Sequence, residues 1–261
     1  TFKSLKMSIY KSLSFKIRRS ILKTAHSSQA SHIGSSLSIV DILSVLYAKF
    51  LKSKKNLFIL SKGHGCLAQY CALKEIGLIS DRTLKTFGKN NTILMSHSSH
   101  KVPGVHFSTG SLGHGLPVSA GIALANKIEK SKSRVFVLIS DGELNGGSNW
   151  ESLLFCSHHK LNNLTIIIDY NKIQSIDFLK NTLAIEPIKK KFESFGCKVL
   201  SIDGHNHKQL LKSLSYKSSK VLVIIANTIK GKGVKFMENT VLWHYKPLST
   251  THFERAIKEL K

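Results

Sequence analysis

The chain has 261 residues, 42% of them hydrophobic, which is enough to bury a sizeable core in one large α/β domain or two small ones. No apolar run approaches the ~18 residues of a membrane-spanning helix, and the four cysteines have neither paired metal-ligand spacing nor the density of a secreted disulfide scaffold. We therefore expect a soluble, cytoplasmic protein. The formal charge of +24 comes from lysines scattered along the whole chain. Because these lysines form no single tract and acidic residues are scarce, the charge alone does not indicate specific nucleic-acid binding, which stays an alternative; it is compatible with a phosphorylated substrate or an acidic partner.

The first twenty residues are basic and serine-rich and contain no acidic residue. That composition is typical of an organelle transit peptide, but the apolar residues Leu13, Ile17 and Ile21 recur at helical spacing. We predict that residues 1–20 form a basic helix packed on the domain rather than a targeting segment.

A small polar segment, residues 29–38, leads into an apolar helical periodicity over residues 39–47. Ser36 or Ser38 is expected to cap this helix, and Asp41 lies in its first turn, where a negative charge is favourable. The sequence therefore predicts a polar loop followed by an apolar helix.

A short strand is predicted over residues 57–60, ending in Ser-Lys-Gly-His-Gly at 61–65 and followed by an apolar helix through Leu78. His64 lies where the strand gives way to the helix, near the positive end of the helix dipole. A neutral imidazole at that place can donate a hydrogen bond to an oxygen of a diphosphate.

Two segments with the composition of ligand-binding loops come next. Residues 88–108 lack a clear period and contain His97 and His100, which is typical of an active-site loop. Residues 108–115 read Ser-Thr-Gly-Ser-Leu-Gly-His-Gly and lead into a helix of small residues over 116–128. Glycines in such a loop let backbone amides and carbonyls approach a ligand closely.

The most informative stretch is a strand-helix-strand unit, with strands at 135–139 and 164–168 and a helix at 148–160. Asp141 follows the first strand and Asn171 follows the second. Because parallel strands end on the same edge of a sheet, these two side chains can converge. A carboxylate and an amide are both hard oxygen donors and suit a magnesium ion.

The remainder of the chain continues the alternation of strands and helices but contains fewer candidate site residues. We predict helices at 185–195, 207–214 and 253–260, strands at 198–202 and 221–226, and a turn at 203–206. Alternating strands and helices predict an α/β fold with a doubly wound, mostly parallel sheet and helices on both faces, formed by residues 1–261 as a single domain.

The Asp-Gly-Glu sequence at 141–143 and the Asp-Tyr-Asn sequence at 169–171, with a helix between them, resemble the thiamine diphosphate signature. The flanking residues are similar to the transketolase family from about Ile17 to Lys258. The similarity is carried by Ser-Lys-Gly-His at 61–64, by Thr-Gly-Ser-Leu-Gly at 109–113, and by Thr-x-Lys-Gly-x-Gly with Trp-His over 228–244. The resemblance implies the thiamine diphosphate-binding fold.

The resemblance also implies roles for particular residues. The metal, Mg²⁺ or another divalent cation such as Ca²⁺ or Mn²⁺, would be bound by the side chains of Asp141 and Asn171 and by the main-chain carbonyl of Ile173. Thiamine diphosphate would contact His64, Gly110, Ser111, Leu112, Gly142, Glu143, Asn171 and His244. Catalytic roles would fall to His32, His97, His244 and Glu143. The position of Glu143 is also compatible with an ordinary acid that stabilises a helix start.

The implied reaction is the transfer of a two-carbon ketol unit from a ketose phosphate to an aldose phosphate, as in the pentose phosphate pathway. In this family the glutamate that activates the cofactor lies on a second, pyrimidine-binding domain, and we expect both that domain and the C-terminal domain to be absent here. The chain is then the N-terminal subunit of a split transketolase. It would be active only with a C-terminal partner subunit, in a heterotetramer of two copies of each chain.

Several positions depart from the family pattern, and three of them bear on whether the protein is active. Ser140 stands for the first glycine of Gly-Asp-Gly, Ile33 for a proline and His114 for a glutamine. These departures keep open a non-catalytic scaffold or regulatory subunit that binds thiamine diphosphate. A keto-acid dehydrogenase subunit fits the metal motif but not the segments 61–64 and 230–244.

Overall fold

The computed structural model describes residues 2–52 and 55–260. Within this part the sheet has five strands, all parallel, in the order β1-β2-β3-β5-β4. The strands are β1 (Leu57–Leu60), β2 (Val135–Ser140), β3 (Leu164–Tyr170), β4 (Lys198–Asp203) and β5 (Leu222–Asn227). Every residue of β2 and β3 is buried, as expected for the central strands of a parallel sheet that is covered on both faces.

Helices of very different length surround the sheet. In the described residues they are α1 (Phe2–Ser28), α2 (Ile33–Ser38), α3 (Val40–Val45), α4 (Cys66–Glu75), α5 (Asp81–Leu84), α6 (Gly115–Ile128), α7 (Gly147–His158), α8 (Leu179–Thr182), α9 (Ile188–Ser194), α10 (His207–Leu214) and α11 (Thr250–Glu259). Short 3-10 helices occupy Gly63–Gly65, Gly142–Asn145, Lys235–Met237 and Leu242–His244, and a π-helical turn occupies Leu46–Phe50. None of these helices is long and apolar enough to cross a lipid bilayer.

Two apolar cores lie on opposite faces of the sheet. Phe136 and Leu138 of β2 belong to one core, together with residues of α1, α3 and α4. Val135, Val137 and Ile139 of the same strand belong to the other core, with residues of α6, α7 and α9. Since successive side chains of a strand point to opposite faces, both faces are covered by helices. The predicted doubly wound parallel α/β fold is confirmed.

The element boundaries differ from the predicted ones where proline and glycine act. The five strands lie within two residues of their predicted bounds, but α9 begins only at Ile188, because Pro187 disfavours helical angles in the residue before it. Helix α4 ends at Glu75, and Gly77 then takes a φ of +81°, the left-handed conformation that closes many helices. The N-terminal helix extends as far as Ser28.

The predicted helix cap at Ser36 or Ser38 is wrong. Both serines lie inside α2, which begins at Ile33, and the Ser38 hydroxyl donates to Asp169 Oδ1 at 2.5 Å. A fully buried carboxylate requires hydrogen-bond donors, so Ser38 serves the interior of the domain rather than a helix end. Asp41 does lie in the first turn of α3, but it is buried.

Candidate active site

A pocket of about 230 Å³ opens at the carboxyl ends of the strands. Ten of the twelve predicted site residues line it: His32, His64, His97, Gly110, Leu112, Asp141, Gly142, Asn171, Ile173 and His244. Of the other two, Ser111 is exposed between two lining residues and Glu143 is buried outside the lining. The wall is completed by residues that were not predicted, namely Ser35, Lys62, Ser140, Gln174, Ser175 and Tyr245.

The two strand ends that were predicted to converge do so. Ser140 of β2 is aligned with Asp169 of β3 in the parallel register, so the residues that follow the two strands are neighbours. Asp141 Oδ2 accepts a hydrogen bond from the main-chain N–H of Lys172 at 2.6 Å. The Asp141 carboxylate therefore lies directly beside the loop that begins with Asn171.

Asn171 is held in one orientation by bonds from both ends of its amide. Its Nδ2 donates to Asp169 at 3.0 Å, and its Oδ1 accepts from the Ile173 N–H at 3.0 Å. The Ile173 carbonyl accepts from Lys230 at 3.1 Å. Because an sp² oxygen has two lone pairs, the Asn171 amide oxygen and the Ile173 carbonyl each retain one for a further ligand.

The Asp141 carboxylate is the group at this edge that most requires a cation. It is 2% exposed, and burial, followed by the nearby charge of Asp169, raises its pKa to about 7. No group of three or more His, Cys, Asp or Glu side chains within the described residues is arranged to hold a metal. A metal here would therefore rely on one carboxylate, one amide and one carbonyl. These hard oxygen donors fit Mg²⁺, and they also suit Ca²⁺ and Mn²⁺.

Four histidine rings meet in the pocket. The ring centroid of His32 lies 5.5 Å from that of His64, 6.1 Å from that of His97 and 4.9 Å from that of His244. Burial lowers the pKa of His32 to about 4 and that of His244 to about 3, and it holds the pKa of His64 well below its usual range; neighbouring positive groups act in the same direction. These three imidazoles are therefore neutral near pH 7, and each can both donate and accept a hydrogen bond.

His32 is positioned by an uncommon backbone conformation. Its φ is +61°, in the left-handed region that non-glycine residues rarely adopt. Its N–H donates to the His244 carbonyl at 2.7 Å, which ties the loop before α2 to the segment after β5. Such conformations persist where the surroundings hold them, and they cluster at functional sites.

Lys62 is buried and forms an internal ion pair. Its Nζ donates to Asp169 Oδ2 at 2.5 Å and to the Ser35 carbonyl at 3.2 Å. Burial alone would raise the pKa of Asp169, but Lys62, with the hydroxyls of Ser38 and Thr228, holds that pKa below its usual range. The ion pair therefore fixes the end of β3, and the predicted metal donors Asn171 and Ile173 follow that end.

Lys230 brings a second buried ammonium group to the pocket. Its Nζ donates to the carbonyls of Ile173 at 3.1 Å and Gln174 at 2.9 Å and lies 2.9 Å from His244 Nδ1. Burial, followed by the charge of Lys62, lowers the pKa of Lys230 to about 8. Because these contacts are with neutral groups, its positive charge is available to an anion in the pocket.

Neither lysine was predicted from the sequence to have a role, although both stand in the segments that carry the family resemblance. Each precedes a glycine and follows the end of a buried strand by two or three residues: Lys62 comes after β1, and Lys230 comes after β5. A lysine at such a place has little access to solvent, and that was the signal available in the sequence.

Glycines allow the loops around the pocket to touch. A Cβ atom added at Gly63 would lie 2.5 Å from the Thr109 carbonyl oxygen, and one added at Gly115 would lie 2.3 Å from Ser61 Oγ. At Gly110 the nearest atoms to an added Cβ belong to the His97 ring, at 3.7 Å. The first two glycines are thus required by packing, whereas a Cβ at Gly110 would make only an ordinary contact with the His97 ring.

Glu143 braces three loops from inside the domain. It is 1% exposed and accepts hydrogen bonds from the Ser61 hydroxyl, from the Gly113 N–H at 2.8 Å and from the Ser140 N–H at 3.2 Å. Burial raises its pKa. Because Glu143 does not line the pocket, its predicted catalytic and cofactor-binding roles are not supported by direct contact with the cavity and stay predictions.

Comparison with known proteins adds an independent line of evidence. Residues 11–260 match the family described as transketolase, thiamine diphosphate binding domain. One of the subunits of the apulose-4-phosphate transketolase of Actinobacillus succinogenes is 40% identical over 255 residues, which span 94% of this chain and 92% of that protein. A 6-deoxy-6-sulfo-D-fructose transketolase subunit of Clostridium sp. is 33% identical over 257 residues, with 94% of both chains covered.

A solved structure gives the same answer for the fold. The crystal structure of transketolase from Campylobacter jejuni superposes with a TM-score of 0.87 at 27% identity and covers 97% of this chain. This chain spans only 42% of that transketolase, whereas it spans nearly the whole length of the two subunits named above. The chain therefore belongs to the transketolase family and represents its N-terminal, thiamine diphosphate-binding domain.

Proposed function

We propose that this chain is the N-terminal subunit of a two-chain transketolase that transfers a two-carbon ketol group between sugar phosphates. The observation that carries the proposal is a single pocket that combines three oxygen donors, from Asp141, Asn171 and Ile173, with neutral histidines and a buried lysine. Oxygen donors suit a divalent metal, and the lysine and imidazoles suit the diphosphate oxygens that such a metal would share.

In this proposal the cofactor would be held mainly through charge. The metal donors would bind Mg²⁺, and the neutral rings of His64 and His244 would donate hydrogen bonds to the diphosphate. Lys230, whose three N–H donors already bind the Ile173 and Gln174 carbonyls and His244, would attract the diphosphate through its positive charge. Gly110 and His97 both line the pocket, where the organic part of the cofactor would lie beside them. Thiamine diphosphate, when bound, would supply the nucleophilic carbon and the electron sink that allow the bond beside a ketose carbonyl to break and re-form.

The substrate side of the pocket would be served by His32 and His97. A pKa of about 4 keeps His32 neutral in the working pH range, so its ring can donate a hydrogen bond to a sugar hydroxyl or accept one from it. The left-handed backbone of His32 and its bond to His244 hold that ring in place before substrate arrives. Such preorganisation lowers the cost of orienting reacting groups.

The carboxylic acid that activates the cofactor in this family would come from a partner. Leu112 and Tyr245 line the pocket, yet they are 46% and 58% exposed, and large apolar side chains at a pocket mouth favour burial against another protein. The relatives of matching length are each named as one subunit of a transketolase. We therefore assign the pyrimidine-binding and C-terminal domains to a separate chain, and we propose a heterotetramer of two copies of each chain.

The identity of the sugar substrate is less restricted by the relatives than the identity of the cofactor. The two relatives are named for apulose-4-phosphate and for 6-deoxy-6-sulfo-D-fructose, so anionic ketoses of different shape are served by subunits of this kind. We propose a ketose phosphate donor and an aldose phosphate acceptor, and a substrate panel should include apulose-4-phosphate and the sulfonated sugar beside the common pentose and hexose phosphates.

The departures from the family pattern are compatible with activity. Ser140 ends β2 with ordinary strand geometry, and its hydroxyl accepts a hydrogen bond from the Glu143 N–H at 3.2 Å. His114 is exposed at the start of α6, and Ile33 is buried in the apolar core. These placements give no support to a degenerate scaffold.

Reconstitution tests the proposal. The purified chain, its C-terminal partner and the mixture would each be assayed for ketol transfer with thiamine diphosphate and Mg²⁺. We expect transfer from the mixture only. Robust turnover by this chain alone would contradict the shared site, and no turnover from a mixture that binds the cofactor with normal affinity would favour a regulatory subunit.

A further inference from the structure

A buried polar network lies outside the pocket, where α1 and α3 meet the loops that follow β4 and β5. Its centre is Asp41, which is 4% exposed. The Arg18 guanidinium binds both oxygens of this carboxylate, at 3.1 Å and 2.5 Å. The charge of Arg18 and hydrogen bonds from neighbouring groups hold the pKa of Asp41 well below its usual range, although burial opposes them. Asp41 is thus a fixed negative charge to which other groups are attached.

His205 connects this charge to the main chain after β5. Its Nδ1 lies 2.8 Å from Asp41 Oδ2, and its Nε2 accepts a hydrogen bond from the Ile229 N–H at 2.8 Å. Because a main-chain N–H can only donate, Nε2 is the unprotonated nitrogen, and the proton on Nδ1 is donated to Asp41. The neutral ring therefore acts as a rigid bridge between a carboxylate and a main-chain amide.

Arg18 grips the same segment on its other side. Its Nε donates to the Lys232 carbonyl at 3.1 Å while its terminal nitrogens bind Asp41. A Cβ added at Gly233 would lie 2.9 Å from Arg18 Cδ, and φ at that glycine is +99°. A glycine at this position therefore makes room for the Arg18 side chain. The two anchored main-chain groups, at 229 and 232, flank Lys230.

We propose that His205 is a positioning residue that holds Lys230 in the pocket. The Lys230 ammonium must stay within reach of two carbonyls and His244, and this requires a fixed main chain beneath it. Two further main-chain hydrogen bonds also hold this segment: the Gly231 N–H donates to the Gly34 carbonyl, and the Asn239 N–H donates to the Lys230 carbonyl. The loss of His205 should therefore loosen residues 229–232 without unfolding them. The expected loss of cofactor affinity rests on the proposed function, whereas the expected displacement of Lys230 does not.

Two variants of His205 and one matched control separate positioning from stability. His205→Leu keeps the bulk but removes both bonds, whereas His205→Gln retains an amide that can donate to Asp41 and accept from Ile229. The control is His207→Leu, because His207 also contacts Asp41, at 3.2 Å, but its other partners are Ser14 and Tyr10 on α1. It removes a bond to the same carboxylate without touching the segment after β5.

The first measurement needs no cofactor. The purified chain would be acetylated with a limiting amine-reactive ester well below its melting temperature, and the rate at Lys230 would be read by mass spectrometry against exposed lysines. We expect the Lys230 rate to rise about tenfold or more in His205→Leu, to return towards the original value in His205→Gln and to stay unchanged in His207→Leu, whatever the melting temperatures. Equal rates in all four proteins, or equal increases in the Leu variants at both positions, would overturn the inference.

The second measurement is calorimetric affinity for thiamine diphosphate with Mg²⁺ in the presence of the C-terminal partner. His205→Leu should bind about tenfold more weakly, since outer supports of a ligand site typically contribute that much, and His207→Leu should bind normally. If the unmodified complex bound no cofactor, the proposed function would be wrong, but the acetylation rates would still test whether His205 positions Lys230. If His205→Leu bound normally and its Lys230 stayed protected, His205 would have no positioning role.

Discussion

Replacing Asp141 by asparagine removes the proposed metal carboxylate while keeping its size, and the structure predicts opposite effects on stability without and with ligand. In the free chain this carboxyl is buried beside Asp169, and its pKa is about 7 instead of 3.8. The folded chain thus binds the Asp141 proton more tightly than the unfolded chain does. The stability that this proton contributes is fully present below pH 3.8 and is lost as the pH rises through 7.

The size of this change in stability follows from the difference between the pKa of Asp141 in the folded and the unfolded chain. At about 1.4 kcal/mol per pKa unit, ionising this buried carboxyl destabilises the folded chain at pH 8 by about 4 kcal/mol. An asparagine avoids this penalty but leaves one of the two N–H donors, from Gly142 or Lys172, without its acceptor, at a cost of about 1–3 kcal/mol. The variant should therefore be more stable than the original chain by about 1–3 kcal/mol at pH 8, and the gain should fall close to zero at pH 5.

Urea unfolding in EDTA at pH 8 and pH 5 measures the first effect, and repeating it with Mg²⁺ and thiamine diphosphate measures the second. The original chain should be stabilised by the ligands, whereas Asp141→Asn should not. Glu151→Gln, at an exposed carboxylate on α7, serves as the control and should change stability by less than about 0.5 kcal/mol. A loss of stability at pH 8 in EDTA would refute the reasoning about the buried charge, and equal stabilisation of both proteins by ligand would refute the metal site.

Three further predictions concern the same pocket. Asp169→Asn leaves Lys62 buried without its carboxylate and should lower the free energy of unfolding by about 3–5 kcal/mol in urea; a loss below about 1 kcal/mol would mean that the ion pair contributes little. Apparent Mg²⁺ affinity, measured by calorimetry with the cofactor present, should fall about tenfold for each pH unit below 7, because the metal must displace the Asp141 proton; a flat profile between pH 5 and 7 would contradict this. Lys230→Met should weaken thiamine diphosphate binding by about 10-fold to 100-fold, since it removes a buried positive charge beside the proposed diphosphate site and the hydrogen bonds that order Ile173 and His244. Binding to the original chain should weaken above pH 8 as Lys230 loses its proton, and pH-independent binding would exclude that role.

The sheet and the convergence of Asp141 with Asn171 were predictable because their signals are local. A short β-branched run that ends in Asp-Gly or Asp-Tyr-Asn identifies a buried strand and the edge at which it stops. The parallel order then brings those ends together whatever lies between them. The histidines were found because each stands in a segment with a family pattern, and the structure places four of them in one pocket.

The internal electrostatics were not predictable, because a charged residue is buried only when a distant partner compensates it. Lys62 needs Asp169, 107 positions away, and Asp41 needs Arg18 and His205 from two other elements. The same reasoning explains the error at Ser38, whose hydroxyl is drawn to the Asp169 carboxylate rather than to a helix end. Helical periodicity carries no information about such partners.

The positions of the acidic residues explain how the large positive charge is distributed. Fifteen Asp and Glu residues stand against 39 Lys and Arg, and four of the acids, Asp41, Asp141, Glu143 and Asp169, are buried. A surface so depleted of acids attracts any anion, including sugar phosphates, an acidic partner chain and nucleic acid. The field is screened by salt and sets encounter rates, whereas contact with Lys230 is open only to a group small enough to enter a pocket of about 230 Å³. The charge therefore speeds the approach of anions in general, and in the proposed function the pocket would select the diphosphate among them.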